Sequence, residues 1–427
     1  MEGYRHRILD FLLERKLQAK GAVLIEGPKW CGKTTTAEEI AASKVLLARK
    51  DVKEQFKSLL EIDMEEALGG EAPMLIDEWQ TVPKLWDAVR YTVDERHKMG
   101  QFILTGSAVP DKKAEEEREH SGTGRFAWLT MRPMTLFESG ESNGRVRLSE
   151  LFTSPEKIMA ENDLKLTDIA FLICRGGWPM VVGLPDEIAL EQAFDYYDAV
   201  TKEDVSRVDG VKRASERVRR LMRSYARHQG TQASIATLRE DLKNNDASSL
   251  DENTINSYLD ALRKIFVIED MPAWNPNLRS KTAIRTSDTR YFVDPSIATA
   301  ALEIGPEDLM SDLNTMGLFF ETLCVRDLRV FAESMNGKVY HYRDKSGLEC
   351  DAVLHLRGGR YGLIEIKLGG QSLINDGAAT LTALSNQIDT SKMKEPAFKM
   401  ILTATGDYAY RRPEDGIYVV PIGCLRP

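Results

Sequence analysis

The 427-residue chain is poor in the residues that build disulfide frameworks and metal sites. It has five cysteines and six histidines, all scattered. Cys31, Cys174, Cys324, Cys350 and Cys424 are odd in number and no pair has metal-ligand spacing. That excludes a disulfide scaffold and a structural zinc site, and fits a reduced compartment. Long apolar runs are missing too, so no segment is expected to span a bilayer. The opening residues, MEGYRHRILDFLLERKLQAKG, read as an amphipathic helix of mixed charge. They lack the apolar core and small-residue cleavage site of a signal peptide, so a cytoplasmic location is expected. Basic excess is absent: 57 Lys and Arg against 66 Asp and Glu give a net charge of −9. Such a chain does not advertise nucleic-acid binding, which has to come from local basic patches. Length is plentiful, and predicts roughly two to four domains.

The strongest pattern is GAVLIEGPKWCGKTTTAEEIAASKVL. Ala22 to Glu26 is a short apolar strand, Gly27 to Thr34 fits G-x-x-x-x-G-K-[ST], and a run of good helix formers follows. Strand, glycine loop and helix form the context a phosphate-binding loop requires. Gly27 and Gly32 permit tight turns, so that backbone N–H groups and the helix N-terminus point at phosphate oxygens. The loop Gly27, Pro28, Lys29, Trp30, Cys31, Gly32, Lys33, Thr34 and Thr35 is therefore the expected ATP cradle. Lys33 is assigned to the β- and γ-phosphates and Thr34 to Mg²⁺. In APMLIDEWQ a buried strand leads to Asp77, placed to order Mg²⁺ and its water, and to Glu78, placed to polarise the attacking water.

GQFILTGSAVP supplies a further apolar strand, Phe102 to Leu104, with Thr105 and Ser107 at its end. Ligands bind outside the carboxyl ends of such strands, which makes both hydroxyls γ-phosphate sensor candidates; an ordinary strand-to-loop turn competes. The polar, glycine-bearing segment 111–124 reads as a mobile loop. Arg125 after it is the candidate to neutralise transition-state charge, in cis or from a neighbouring copy, with Arg132 in reserve; a surface ion pair with nearby acids competes.

GPKWCGKTT, LIDEWQ, WDAVRYTVD, FILTGS, GTGR and MTLFESG occur in this order. The series resembles the bacterial and archaeal AAA-type ATPases whose ATPase part is called AAA_14 and which carry a C-terminal domain of unknown function, DUF4143. The resemblance covers nearly the whole chain and implies an α/β phosphate-loop ATPase domain followed by further domains. The Arg175-Gly176-Gly177-Trp178-Pro179 turn also resembles a family motif, without an evident catalytic role.

In the middle, VSRVDGVKRASERVRRLMRSYARHQG reads as one helix with a basic face. SIATLREDL and DENTINSYLDALRKIFVIEDMPAW add two more, with Ser234 and Asp251 as N-caps. FVIEDMPAW and TRYFVDPS can pair as a wing, giving a winged-helix pattern. Its recognition-type helix is weakly armed for DNA: Asn253, Asn256, Arg263 and Lys264 stand beside acids.

The C-terminal stretch reads α-β-β-β-α-β, an order that resembles the core of the PD-(D/E)XK nuclease superfamily. Glu365 and Lys367, two apart in YGLIEIKL, project from one strand face, and a hairpin can bring them level with Asp351. Glu321 from the preceding helix completes a possible nuclease-like site for Mg²⁺. A solvated polar face and a structural ion pair compete.

The expected organisation is a phosphate-loop domain at 1–140, a linker and helical segment at 141–210, a winged-helix-like domain at 211–300 and a nuclease-like α/β domain at 301–427. The expected function is Mg²⁺-dependent ATP hydrolysis coupled to DNA, or less readily RNA, in a homo-oligomer without membrane contact. The alternatives are a nucleotide-gated regulator that binds a protein partner and a small-molecule kinase.

Overall fold

A computed structural model describes residues 3–109, 120–245, 250–275, 287–391 and 393–427. The segment read as a mobile loop lies outside the described residues as far as residue 119.

Two sheets frame the molecule. The first contains β1 (Ala22–Glu26), β2 (Ser43–Leu46), β3 (Met74–Asp77), β4 (Phe102–Gly106) and β5 (Phe126–Thr130). They are all parallel, in the order β2-β3-β4-β1-β5. β1, β3 and β4 are short, almost wholly buried apolar runs, as a parallel sheet covered on both faces demands. One face packs Val23, Ile25, Leu75 and Ile103 against Leu9 and Leu13 of the helix Ile8–Leu17. The other packs Leu24, Ile76 and Leu104 against Phe56, Trp79, Trp86 and Val89. Parallel strands put their carboxyl ends on one edge, so the loops after β1, β3 and β4 share one crevice.

The segment 141–163, read as an irregular boundary, is tied to the far end of the chain. β6 (Val146–Arg147) pairs with β14 (Leu425–Arg426), and β7 (Ala160–Glu161) pairs with β12 (Tyr408–Arg411). Ser142 and Asn143 add bonds to the carbonyls of Leu425 and Gly423.

The expected single helix from Val205 onward is broken. It stops at Arg207 and resumes as Ser215–Arg227. Between them Gly210 takes a φ of +70°, and Asp209 receives the buried guanidinium of Arg213 at 2.7 Å. The helices Ile235–Asn245 and Glu252–Lys264 follow. Ser234 Oγ accepts from the Thr237 amide, and Asp251 caps the Thr254 amide at 2.8 Å. Antiparallel bridges Ile268↔Phe292 and Met271↔Thr289 form a narrow ribbon beside these helices. The basic face is largely neutralised: Arg219 pairs with Asp198, Arg220 with Glu216, Arg223 with Glu303 and Arg227 with Asp241.

The helix Leu313–Ser334 leads into β8 (Gly337–Arg343), β9 (Glu349–Leu356) and β10 (Tyr361–Lys367). The helix Gln371–Gln387 then crosses to β11 (Phe398–Thr403), with β13 (Tyr418–Pro421) after β12. The seven-stranded order is β7-β12-β13-β11-β10-β9-β8. β8, β9 and β10 are antiparallel neighbours, whereas β10, β11 and β13 run parallel. One continuous core joins residues from Leu136 through the middle helices to Leu425. All five cysteines are free and buried. No helix among the described residues is long and apolar enough to cross a membrane.

Candidate functional site

At the end of β1 the chain turns through Gly27 at φ +153°, Trp30 at +67° and Gly32 at +100°. A Cβ on Gly27 would lie 2.1 Å from the Met131 carbonyl oxygen, so the turn requires glycine there. The helix Lys33–Ile40 starts directly after Gly32. Lys33 is buried, and its ammonium donates to the carbonyls of Gly27 at 2.9 Å and Pro28 at 2.7 Å. Thr34 Oγ1 donates to Asp77 Oδ1 at 2.8 Å, and Thr105 Oγ1 donates to the same oxygen at 2.5 Å. β4 lies between β1 and β3, which is why Thr105 reaches the acid from the side. Glu78 sits just beyond β3 at φ +55°. Its Oε2 accepts from Ser107 Oγ at 3.0 Å and from the Gln80 amide. A non-glycine residue in the left-handed region at a sheet's carboxyl edge is a strained placement of the kind that clusters at functional sites. Asp77, Glu78, Thr105, Ser107, Lys33 and Thr34 are thus brought together.

Sequence reasoning missed what holds this loop from behind. Arg7 is buried and donates Nη1 to the Cys31 carbonyl at 2.7 Å, Nη2 to the Arg132 carbonyl at 2.8 Å and Nε to Glu138 at 3.1 Å. Glu138, in MTLFESG, also accepts from the amides of Ile8 and Thr135. The Arg-Gly-Gly-Trp-Pro turn packs alongside. A Cβ on Gly177 would meet the Met134 carbonyl oxygen at 2.2 Å, the Gly177 amide donates to Asp294, and Pro179 lies against Gly32. Trp178 packs on Tyr196, which also neighbours Trp30, and Lys29 Nζ binds Asp204 Oδ1 at 2.5 Å. The loop tip therefore touches the middle helices directly. The buried chain Asp294–Arg326–Asp327, with Asp327 accepting from the Leu136 amide, fixes the same joint.

Arg125 is not brought to its own phosphate loop. Its carbonyl bonds the Ala22 amide at the amino end of β1, so about 16 Å of strand separates it from the crevice. Its exposed guanidinium pairs with Asp94 at 2.7 Å. The reserve, Arg132, is buried and committed to Glu269 at 2.7 Å and Glu333 at 3.0 Å. Although burial opposes it, Arg132 and Arg329 pull Glu269 down to about 2. Neither arginine serves this copy's own phosphates.

The C-terminal residues also converge. Lys367 Nζ lies 2.7 Å from Glu365 Oε2 and 3.2 Å from Asp351 Oδ2, which also accepts from the Ile366 amide at 2.7 Å. Glu321 accepts from the Tyr291 hydroxyl, and a Cβ on Gly230 would lie 3.1 Å from its carboxylate. Burial, then the charge of Asp351, pushes Glu365 up to about 8 and Glu321 well above the usual carboxylate range. Asp351 and Glu365 keep Lys367 charged against the desolvation that opposes it. Among the described residues no three His, Cys, Asp or Glu side chains are arranged to hold a metal ion. The lysine ammonium stands between the two carboxylates, so this arrangement does not fit a divalent cation.

Comparison with known proteins adds three family matches: an AAA domain (AAA_14) at residues 19–139, a domain of unknown function (DUF8612) at 166–308 and another (DUF4143) at 316–425. An uncharacterized protein of Mycobacterium tuberculosis and one of Mycobacterium bovis are each 25% identical over 359 residues. The match covers 83% of this chain and 72% of each relative. Among solved structures, a Walker-type ATPase of Pyrococcus abyssi is 15% identical with a TM-score of 0.43, over 70% of this chain and 96% of that one. The Drosophila ORC bound to DNA gives 12%, 0.20, 69% and 85%. Both structural likenesses are too distant to decide anything. An AAA domain that carries the phosphate loop and a DUF4143 domain that carries the acid–lysine cluster thus stand in one chain, the pairing that the ordered motifs resemble.

Proposed function

We propose that this ATPase binds ATP with Mg²⁺ at the β1 loop, hydrolyses it with Glu78 as the base, and couples the cycle to nucleic acid held by its later domains. One observation carries the hydrolytic reading. Two threonine hydroxyls converge on one oxygen of Asp77, next to a Glu78 oriented by Ser107 and Gln80, at the mouth of a loop whose lysine rests on backbone carbonyls.

The residues suit the group they would hold. Lys33 exchanges its carbonyl partners for the β- and γ-phosphates, while loop amides and the helix N-terminus face the anion. Thr34 and Asp77 would hold Mg²⁺, which when bound neutralises charge on the phosphates. Glu78 orients and deprotonates the attacking water. Neither Arg125 nor Arg132 reaches this loop, so an arginine contribution falls to a neighbouring copy in a homo-oligomer, with exposed Arg125 as its donor.

For the C-terminal domain we assign binding rather than cutting, because Lys367 stands where two carboxylates would need a metal. Metal-dependent cutting that is present in the wild type and lost in Asp351→Ala and Lys367→Ala would reverse this assignment. A protein-binding regulator is the second reading, favoured by the ion-paired arginines of Ser215–Arg227. ATPase rates with single-stranded, duplex and branched DNA separate the two. Stimulation supports the nucleic-acid coupling, and an unchanged rate with all three supports the regulator.

A further inference from the structure

A cleft of about 430 Å³ lies where the two sheets meet, lined by none of the phosphate-loop residues. Its walls are the outer strands of both sheets: β5 contributes Trp128 and Thr130, and β8 contributes Lys338 and Tyr340. The volume is in the range of sites that take a small ligand or a short piece of a larger one.

The lining has a definite chemistry. Lys16, Lys338 and Arg357 bring three cations from a helix, a strand and a hairpin turn. No carboxylate among the described residues pairs with any of them, on a chain whose other basic groups are widely ion-paired. The acid at the rim, Glu333, is taken by Arg132 at 3.0 Å. Trp128 is 49% exposed, unusual for a tryptophan on a sheet strand, and Tyr340 and His355 add two more rings. The Ala22 amide bonds the Arg125 carbonyl, and the Met131 amide bonds the Glu26 carbonyl. Alternation then turns the backbone groups of Trp128 and Thr130 away from β1, toward the open edge. The lining therefore offers unpaired cations, free backbone donors and one exposed ring, that of Trp128.

We propose that this cleft binds single-stranded nucleic acid, with one base stacked on Trp128 and backbone phosphates on Lys16, Lys338 and Arg357. Cations that follow a backbone and rings that stack bases irrespective of sequence are how such strands are held. An extended peptide could use the same strand edges, but it would need apolar side-chain pockets. The apolar side chains here, Leu129 and Leu356, are already buried. The proposal rests on nucleic acid being the partner, and it deepens that reading by naming the strand form and its seat. Because the ATPase and DUF4143 domains each supply one wall, a bound strand spans the joint that Arg132 ties to Glu269 and Glu333.

The test uses the full chain and fluorescein-labelled oligo-dT and oligo-U of about 20 nucleotides, read by anisotropy over a salt series. Trp128→Ala is expected to weaken binding at least about tenfold, and Trp128→Phe to restore most of it by keeping a ring face. Lys338→Gln with Arg357→Gln is expected to lower the log–log salt slope by about 1.4, at roughly 0.7 per lost phosphate contact on a single strand. If the wild type binds and these variants bind equally well, the cleft assignment falls while the nucleic-acid reading stands. If the wild type binds neither oligonucleotide, both fall. Full displacement of the strand by a free mononucleotide at similar concentration would make the cleft a nucleotide pocket and overturn the proposal. Unchanged thermal melting of each variant ensures that lost binding is not lost folding.

Discussion

Two lysines, buried Lys33 and half-buried Lys367, sit at two places where this chain concentrates polar side chains, and they are held in opposite ways. Lys33 donates to two neutral backbone carbonyls of its own loop. Lys367 stands between two carboxylates, beside a third that Tyr291 covers. Leaving a carbonyl for a phosphate exchanges a neutral partner for a charged one, and charge-assisted bonds are the stronger kind. Leaving Asp351 and Glu365 would strand a half-buried carboxylate beside a buried carboxyl, which is unfavourable. The first site is built to exchange its partner and the second to keep it. The same residue type thus has neutral partners in one domain and charged partners in the other.

The largest way to break this contrast is Lys33→Ala, which should weaken ATP binding and turnover by more than about 100-fold, measured by calorimetry and phosphate release. The same change at Lys367 should leave ATP turnover intact and lower the melting temperature, because it strands Asp351 and Glu365. Next is Arg7→Ala, which removes a buried guanidinium from Glu138 and the Cys31 carbonyl. Breaking a buried pair of this kind costs about 3–5 kcal/mol, visible in urea unfolding, and the loosened loop should also raise KM for ATP.

A subtler test titrates the second site. Glu365 has a folded-state value of about 8 against 4.5, so the folded chain keeps a proton that the unfolded chain releases across that window. Stability should therefore fall as pH rises from about 4.5 to 8, by an amount on the order of 1–3 kcal/mol. Glu365→Gln, uncharged at every pH, should flatten that slope in melts across the range. The smallest effect is expected from Arg125→Ala in dilute, monomeric protein: turnover within about twofold, since the exposed pair with Asp94 contributes little. A large loss that appears only at concentrations where copies associate would sharpen its role as a donor to a neighbour.

Much of the fold was legible because its signals are local. Val23 to Ile25 and Leu75 to Ile76 are buried runs that declare strands. The glycine pattern around Lys33 declares the turn, and the two-residue spacing of Glu365 and Lys367 puts them on one face. What escaped depends on distant partners. Arg7 and Glu138 lie 131 residues apart, and Arg132 meets Glu269 across 137. A lone Arg in an N-terminal helix carries no sign of such a partner. Whether Arg125 could serve its own copy was hidden for the same reason. Its neighbours in sequence suggested a phosphate in cis or in trans, and strand direction, which only the assembled sheet supplies, puts it at the far end of β1 from its own loop. The break at Gly210 was written locally, in Asp209-Gly210, and was overridden by the basic periodicity on either side.

The most direct measurement sets ATP binding beside ATP turnover in the wild type and in Glu78→Gln. If Glu78 is the base beside an intact phosphate loop, the variant binds ATP with Mg²⁺ within a few-fold of the wild type while turnover falls by roughly 10²–10⁴-fold. A Glu78→Gln protein that hydrolyses ATP at the wild-type rate would contradict the account.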